Sequence, residues 1–486
     1  MIFSPAVLFS LSIAYLGMLF LLAHASEKGW LPLRWVRHPA VYTLALGVFI
    51  SSWGLYGVVQ FAADFGYNFL AFYMGLSGAF LVAPMFLQPV LRLAKTHQLH
   101  SLPDLLAFRF RSQGVGSIAT LAILVGVMPL LTAQMQTMAD LVYLLTGGHS
   151  SRSMGAFFSG VLICFTLFFG TRQRNTRGLS HDGLVIAIAV ESLIKLIAML
   201  AVVSYAYFGI LGGESGLGQW LTENPGALHQ LYQPLQGGYW HSLLLLFFFA
   251  AVVMPCMYQM AFTENREPRD LVTASWGVPL YFMLMAIGVP ILLWAGEALQ
   301  LNLPPSYYSL GIALHSESPW MTLILFVGTL AASSGILIVT TLALANMLLN
   351  HVLLPIRGLS TEDDLYQRTL RQQRLLIAFI PSAAFLISWL PALKPDSTEM
   401  SMLSFVATIQ LAPSLLALLF WPQATSAGVI SGLAAGILIW FITLVMPAFF
   451  MPELDASAWL GLEVSNQLAH WQAMGLIATL VNIALL

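Results

Sequence analysis

Two ionisable residues, Glu191 and Lys195, lie inside an apolar run that extends from 182 to 211. Burying charge in an apolar span is costly, so residues of this kind are read as functional by default. Glu precedes Lys by four positions, a spacing that puts both side chains on one helix face where they can meet and neutralise each other. The plainer reading is a pair that merely cancels itself inside a packed bundle. The sharper one is proton chemistry, because an amine among apolar groups can exchange its proton. Two other runs carry helix-breaking residues. Positions 47–57 read GVFISSWGLYG and set Gly47, Ser51, Ser52 and Gly54 in the middle of the run 41–59, beside Trp53 and Tyr56. Gly and Ser also serve plain helix contacts. Pro255, in the run 239–262, removes a backbone donor and exposes carbonyls one turn earlier. A bland kink, with Met254, Met257 and Met260 filling the core, is the competing reading.

The elements that hold these residues follow from composition. The chain has 486 residues, 58% hydrophobic and 8% charged, whereas soluble domains carry about a quarter charged residues. Apolar runs of roughly 20 residues span a bilayer as helices, because lipid leaves other backbone unsatisfied. Thirteen such runs occur, at 5–23, 41–59, 66–94, 115–145, 155–171, 182–211, 239–262, 271–297, 320–350, 374–391, 400–421, 426–450 and 468–486. The fold class expected is an all-α membrane protein of about 13 transmembrane helices, in one domain covering 1–486. The stretch 1–23 lacks a basic flank and a cleavage site and reads as a retained span. The last run reaches Leu486 with no hydrophilic flank, so a longer protein is an expectation.

Lys and Arg set the orientation, since cytoplasmic loops retain them. With the N-terminus outside and the C-terminus inside, 16 of the 19 fall on cytoplasmic loops and helix ends. They are Lys28, Arg34, Arg37, Arg92, Lys95, Arg109, Arg111, Arg172, Arg174, Arg177, Arg266, Arg269, Arg357, Arg368, Arg371 and Arg374. Arg152 and Lys394 fall outside. The outer loops 212–238, 298–319 and 451–467 hold Glu214, Glu223, Glu317, Glu453, Asp455 and Glu463 without Lys or Arg. The expected location is the bacterial cytoplasmic (inner) membrane, multi-pass.

Two motifs have a familiar form. The stretch 410–436, QLAPSLLALLFWPQATSAGVISGLAAG, resembles the sodium:solute symporter pattern of an apolar helix ending at Trp, a short turn and a Gly-rich helix. The stretch 101–111, SLPDLLAFRFR, resembles that family's loop after the third span. A narrower likeness, carried by 38–48, 129–140, 179–196 and 254–281, is to the transporter module of CbrA-type sensor histidine kinases. The resemblance implies a leucine-transporter-type fold, in which two five-helix inverted repeats, approximately 41–211 and 239–421, surround a midplane site. The helices 5–23, 426–450 and 468–486 then lie outside the repeats.

The same resemblance assigns candidate residues. Substrate binding falls to Ser51, Ser52, Trp53, Tyr56, Gln134, Met254, Tyr258, Gln259, Thr408 and Gln410, with Gln136 a neighbour on the same helix as Gln134. Ion coupling falls to Gly47, Ile50, Glu191, Lys195, Ala332, Ser333 and Ser334. Against the family's hydroxyl pair, this chain has Gly335 and Ile336, and Phe49 stands where sodium/proline relatives carry an acid. Hard cations need oxygen ligands, which makes sodium doubtful. Proton-coupled relatives of the fold carry a lysine on the fifth core helix, where Lys195 lies. The coupling ion is therefore H+ or Na+, and no cofactor is expected.

The remaining signals exclude more than they assign. Cys164 and Cys256 read as small buried hydrophobes. The eleven histidines lack zinc-ligand spacing. With a net charge of -2, no nucleic-acid partner is expected. No Walker loop, dinucleotide fingerprint, triad or kinase motif occurs, so an enzyme within these residues is not expected. The expected function is a secondary active symporter for a small polar solute, an amino acid such as histidine by resemblance. The alternative is a solute-sensing membrane module of a histidine kinase, with the kinase domain as C-terminal partner.

Overall fold

The computed structural model describes residues 3–148, 151–171, 181–232, 239–357, 365–389, 395–451 and 466–486. Arg172, Arg174, Arg177, Lys394, Glu453, Asp455 and Glu463 lie outside the described residues. The described chain is helical, and helix occupies all thirteen apolar runs. Among the described residues, eight helices are long and apolar enough to cross a membrane, and two bent pairs raise this to ten if each pair is one span. The chain is a multi-pass membrane protein.

The principal helices are α1 (Pro5–Glu27), α2 (Pro39–Ala45), α3 (Val58–Phe65), α4 (Leu70–Leu81), α5 (Leu87–Thr96), α6 (Leu102–Phe110), α7 (Gln113–Leu145), α8 (Ser151–Thr171), α9 (Asp182–Ser204), α10 (Tyr239–Val253), α11 (Pro255–Tyr258), α12 (Asp270–Ala298), α13 (Tyr308–His315), α14 (Pro319–Leu348), α15 (Leu365–Ile387), α16 (Ser397–Thr408), α17 (Ala412–Phe420), α18 (Ser426–Trp440) and α19 (Gln467–Leu485). Gly66, at φ 57°, makes the turn between α3 and α4, a conformation that a side chain disfavours.

Packing follows a reciprocal pattern. α4 packs on α10 and α2 on α12; α9 packs on α14 and α7 on α16; α8 packs on α15. Exchanging the first five runs after α1 with the next five interchanges α4–α10 with α2–α12 and α9–α14 with α7–α16, and maps α8–α15 onto itself. α1 lies against α9 and α14, and α18 against α19.

Lipid offers no hydrophobic drive between helices, so close packing of small residues has to hold them. α14 shows this best. Its stretch from Gly328 to Ala345 is buried throughout, and a Cβ at Gly328 would strike Ala198 of α9. Large apolar side chains such as Ile197 on α9 and Ile287 on α12 face outward, as a hydrocarbon surround requires.

Candidate functional site

Both predicted helix breaks are present. The first bends the chain by 74° between Pro39–Phe49 and Trp53–Leu81. Ile50 is extended at ψ 90°, and the helix resumes in wide turns over Trp53–Gly57. The second bends it by 50° between Tyr239–Val253 and Pro255–Thr263. Proline drives the preceding residue out of helical conformation, and Met254 is extended at ψ 128°. α11 packs against Leu46–Phe49, so the two breaks adjoin.

The first break exposes the Ile50 carbonyl, and Lys195 takes it. Lys195 Nζ donates to Ile50 O at 2.8 Å. Both Lys195 and Glu191 are fully buried. The helical spacing suggests that they pair, yet no hydrogen bond joins them, and neither Glu191 carboxylate oxygen has a side-chain hydrogen-bond partner among the described residues. The carboxylate instead rests against Gly335 of α14, where an added Cβ would overlap it. The physical reason is competition: the break offers Lys195 an unpaired carbonyl that Glu191, on the same helix, cannot displace. Gly47 approaches closely too, since a Cβ there would meet Ser192 Oγ at 2.8 Å.

The predicted hydroxyls of α14 divide. Ser334 Oγ lies 3.3 Å from Tyr15 Oη of α1, and Ser333 Oγ has no partner among the described residues. Ala332 is buried on the same helix. Among the described residues no group of three His, Cys, Asp or Glu is placed to hold a metal ion.

Around the first break the substrate candidates separate into two groups. Ser52 donates from N (3.0 Å) and Oγ (2.7 Å) to Gln134 Oε1, so a glutamine of α7 satisfies the restarted helix. Ser51 Oγ accepts from Trp53 N at 3.3 Å, and Tyr56 shares a hydrogen bond with Thr329. Other candidates turn away. Gln259 donates to Glu264 at 2.8 Å. Gln410 donates to Thr479 of α19 at 3.0 Å and its carbonyl accepts from Asn482 at 2.6 Å, so it anchors the peripheral helices. Thr408 Oγ1 bonds Phe405 O on its own helix. Met254 and Tyr258 are buried at the second break, Tyr258 with its hydroxyl unpartnered among the described residues.

The surroundings of Trp53 at the first break are aromatic. Trp53 is ringed by Phe72 (4.7 Å between centroids), Phe405 (5.4 Å), Phe61 (6.0 Å) and Phe247 (6.1 Å), and Phe49 stacks on Phe72 at 5.3 Å. The wall is aromatic because Phe72, Phe247 and Phe405 converge on Trp53 from three helices and Phe49 lies against Phe72 and Phe405. Phe72, Phe247, Phe405 and Tyr15 are the site residues that the sequence reading missed; a Phe inside an apolar run carries no local mark.

Both ends of the bundle are bridged. At the acidic end Tyr307, just before α13, donates to Asp140 of α7 at 2.9 Å and lies against Tyr56. Burial, then the Asp140 charge, holds the Tyr307 phenol far above its ordinary range. At the basic end Glu264 accepts from His181 N (2.6 Å) and Gln259 (2.8 Å), and pairs with His181 Nδ1 at 3.0 Å. Arg266 pairs with Asp182 and donates to Val36 O at 3.2 Å, while Lys95 donates to the carbonyls of Asn265 and Arg266. Asp104 pairs with His351 at 2.7 Å. Burial pushes both carboxyls up, but His181 and His351 outweigh it and hold Glu264 and Asp104 below their ordinary values. Depressed carboxyls contribute stability above their unfolded pKa, about 4, and lose it as pH falls through the lower folded value. Acidification below about pH 4 is therefore expected to loosen this end, read as a drop in the thermal unfolding midpoint that Glu264→Gln, Asp104→Asn flattens.

The chain is similar over 99% of its length to 96% of a Na+-coupled sialic acid symporter solved substrate-bound and outward-open, at 12% identity and TM-score 0.69. It also aligns with structures of the Eremococcus coleocola manganese transporter. One substituted form matches at 14% identity and TM-score 0.41, over 93% of this chain and 85% of that one. The complex with an aromatic bis-isothiourea compound matches at 13% and 0.43, over the same shares. No protein-family model matches the chain, and no curated protein sequence matches it. The fold assignment rests on the first structure alone: this chain has the symporter's fold.

Proposed function

We propose that the chain is a secondary transporter that carries a small polar solute through two inverted five-helix repeats by alternating access. Its basic end faces the cytoplasm, its location is the bacterial inner membrane, and it couples transport to protons rather than sodium. The observation that carries this reading is the Lys195 ammonium on the Ile50 carbonyl, 2.8 Å away at the first helix break. An internal cation there takes the place of a bound one, and its proton supplies the exchangeable charge. Gly335 and Ile336 support the same choice, because neither brings a side-chain oxygen to a hard cation. An amino acid is the solute favoured, histidine by resemblance, since zwitterions suit half-helix ends.

Uptake of labelled amino acids into proteoliposomes tests this reading. Accumulation is expected under an imposed pH gradient with sodium absent. Accumulation only under a sodium gradient would overturn the coupling, and none under either gradient would favour the second reading. That second reading is a solute-sensing membrane module signalling to a histidine kinase region. It is favoured by the aromatic rings that pack around Trp53 and leave this side of the first break apolar.

A further inference from the structure

The helix outside the repeats reaches the coupling residues. On α1 the residues Leu8, Ser12, Tyr15, Leu16, Leu19 and Ala23 form one buried stripe, the spacing of a helix face turned to its neighbours. At its centre Tyr15 is 4% exposed. A buried phenol needs a partner, and its hydroxyl meets Ser334 Oγ at 3.3 Å. Ser334 directly precedes Gly335, the residue on which the Glu191 carboxylate rests. α1 packs on both helices that carry this contact, α9 and α14.

We propose that Tyr15 is a positioning residue of the coupling site, holding Ser334 and the Gly335 backbone so that Glu191 keeps its place beside Lys195. This rests on the proton-coupled reading above. The ionisable groups that face Glu191 are Lys195 on its own helix, Tyr15 on α1 and Tyr281 on α12, while α14 brings only Gly335 and the serine hydroxyls. Tyr281 is already committed, donating to Ser192 O at 3.0 Å. The Tyr15 hydroxyl is thus the contact through which α1 acts on the carboxylate's surroundings.

Tyr15→Phe removes the hydroxyl and keeps the ring. The proton concentration giving half-maximal uptake is expected to shift by about fivefold, the worth of one hydrogen bond, with solute KM unchanged. Ser334→Ala should give the same shift, and the double variant no more than either single one. An unchanged proton dependence in Tyr15→Phe, or two effects that simply add, overturns the proposal. Lys195→Gln in the same assay separates the two ideas: proton-driven uptake that survives it defeats the coupling reading, whereas its loss beside an unaltered Tyr15→Phe defeats this inference alone. If no solute is carried, the readout is the infrared carboxyl band of Glu191, identified by its loss in Glu191→Gln. Equal displacement of that band by Tyr15→Phe and Ser334→Ala supports the proposal, and an unmoved band refutes it.

Discussion

Lys195→Gln is expected to abolish accumulation driven by a pH gradient, by at least about tenfold, while exchange of labelled for unlabelled solute at zero gradient continues. Glutamine retains an N–H for the Ile50 carbonyl, so the first break keeps its partner, but it has no proton to release. Lys195→Ala is the harsher change. It strands the Ile50 carbonyl and removes the buried cation near the Glu191 carboxylate, and leaving a buried charge uncompensated costs about 3–5 kcal/mol. Loss of expression in Lys195→Ala therefore says little, and the comparison of net accumulation with exchange in Lys195→Gln decides. Accumulation within about twofold of the parent would make Lys195 a structural cation only.

Gly335→Ala is expected to lower stability by about 1–2 kcal/mol. A methyl at this position overlaps the Glu191 carboxylate, and α14 is buried on every side there, so the helix cannot recede. Overpacking of this kind costs about 1–3 kcal/mol, and the gain in helix propensity from Gly to Ala returns at most about 1 kcal/mol. The carboxylate is a side-chain end, but Glu191 is fully buried, which limits how far it can swing aside. Glu191→Ala should cancel the penalty, with a coupling of about 0.5–3 kcal/mol in a double-variant cycle read by thermal unfolding in detergent. A Gly335→Ala protein as stable as the parent would mean that Glu191 is not held against α14.

The helix breaks were legible because their chemistry is local. Proline lacks a donor and forces the residue before it extended, so Pro255 announces Met254, and the Gly and Ser residues of 47–57 mark the other break. The partner of Lys195 was not legible. A four-residue spacing tells which side chains can meet on one helix, and here a carbonyl from a residue 145 positions away wins the contact. Polar residues in apolar runs look alike for the same reason. Gln134, Gln259 and Gln410 carry the same side chain, yet one holds the broken helix, one bonds Glu264 and one bonds Thr479. Phe72, Phe247 and Phe405 were invisible because their meaning lies in convergence on Trp53, which no single run encodes.

The bridges at the two ends differ in kind, and the solution around the protein feels that difference. One mouth is fastened by Arg266 on Asp182 and histidines on Glu264 and Asp104, the other by a neutral phenol on a carboxylate. Dissolved electrolyte weakens attraction between opposite charges far more than it weakens a phenol's hydrogen bond. Raising ionic strength is thus expected to weaken the part-exposed Arg266–Asp182 pair, while the buried Glu264 pair and the Tyr307–Asp140 bond are largely spared.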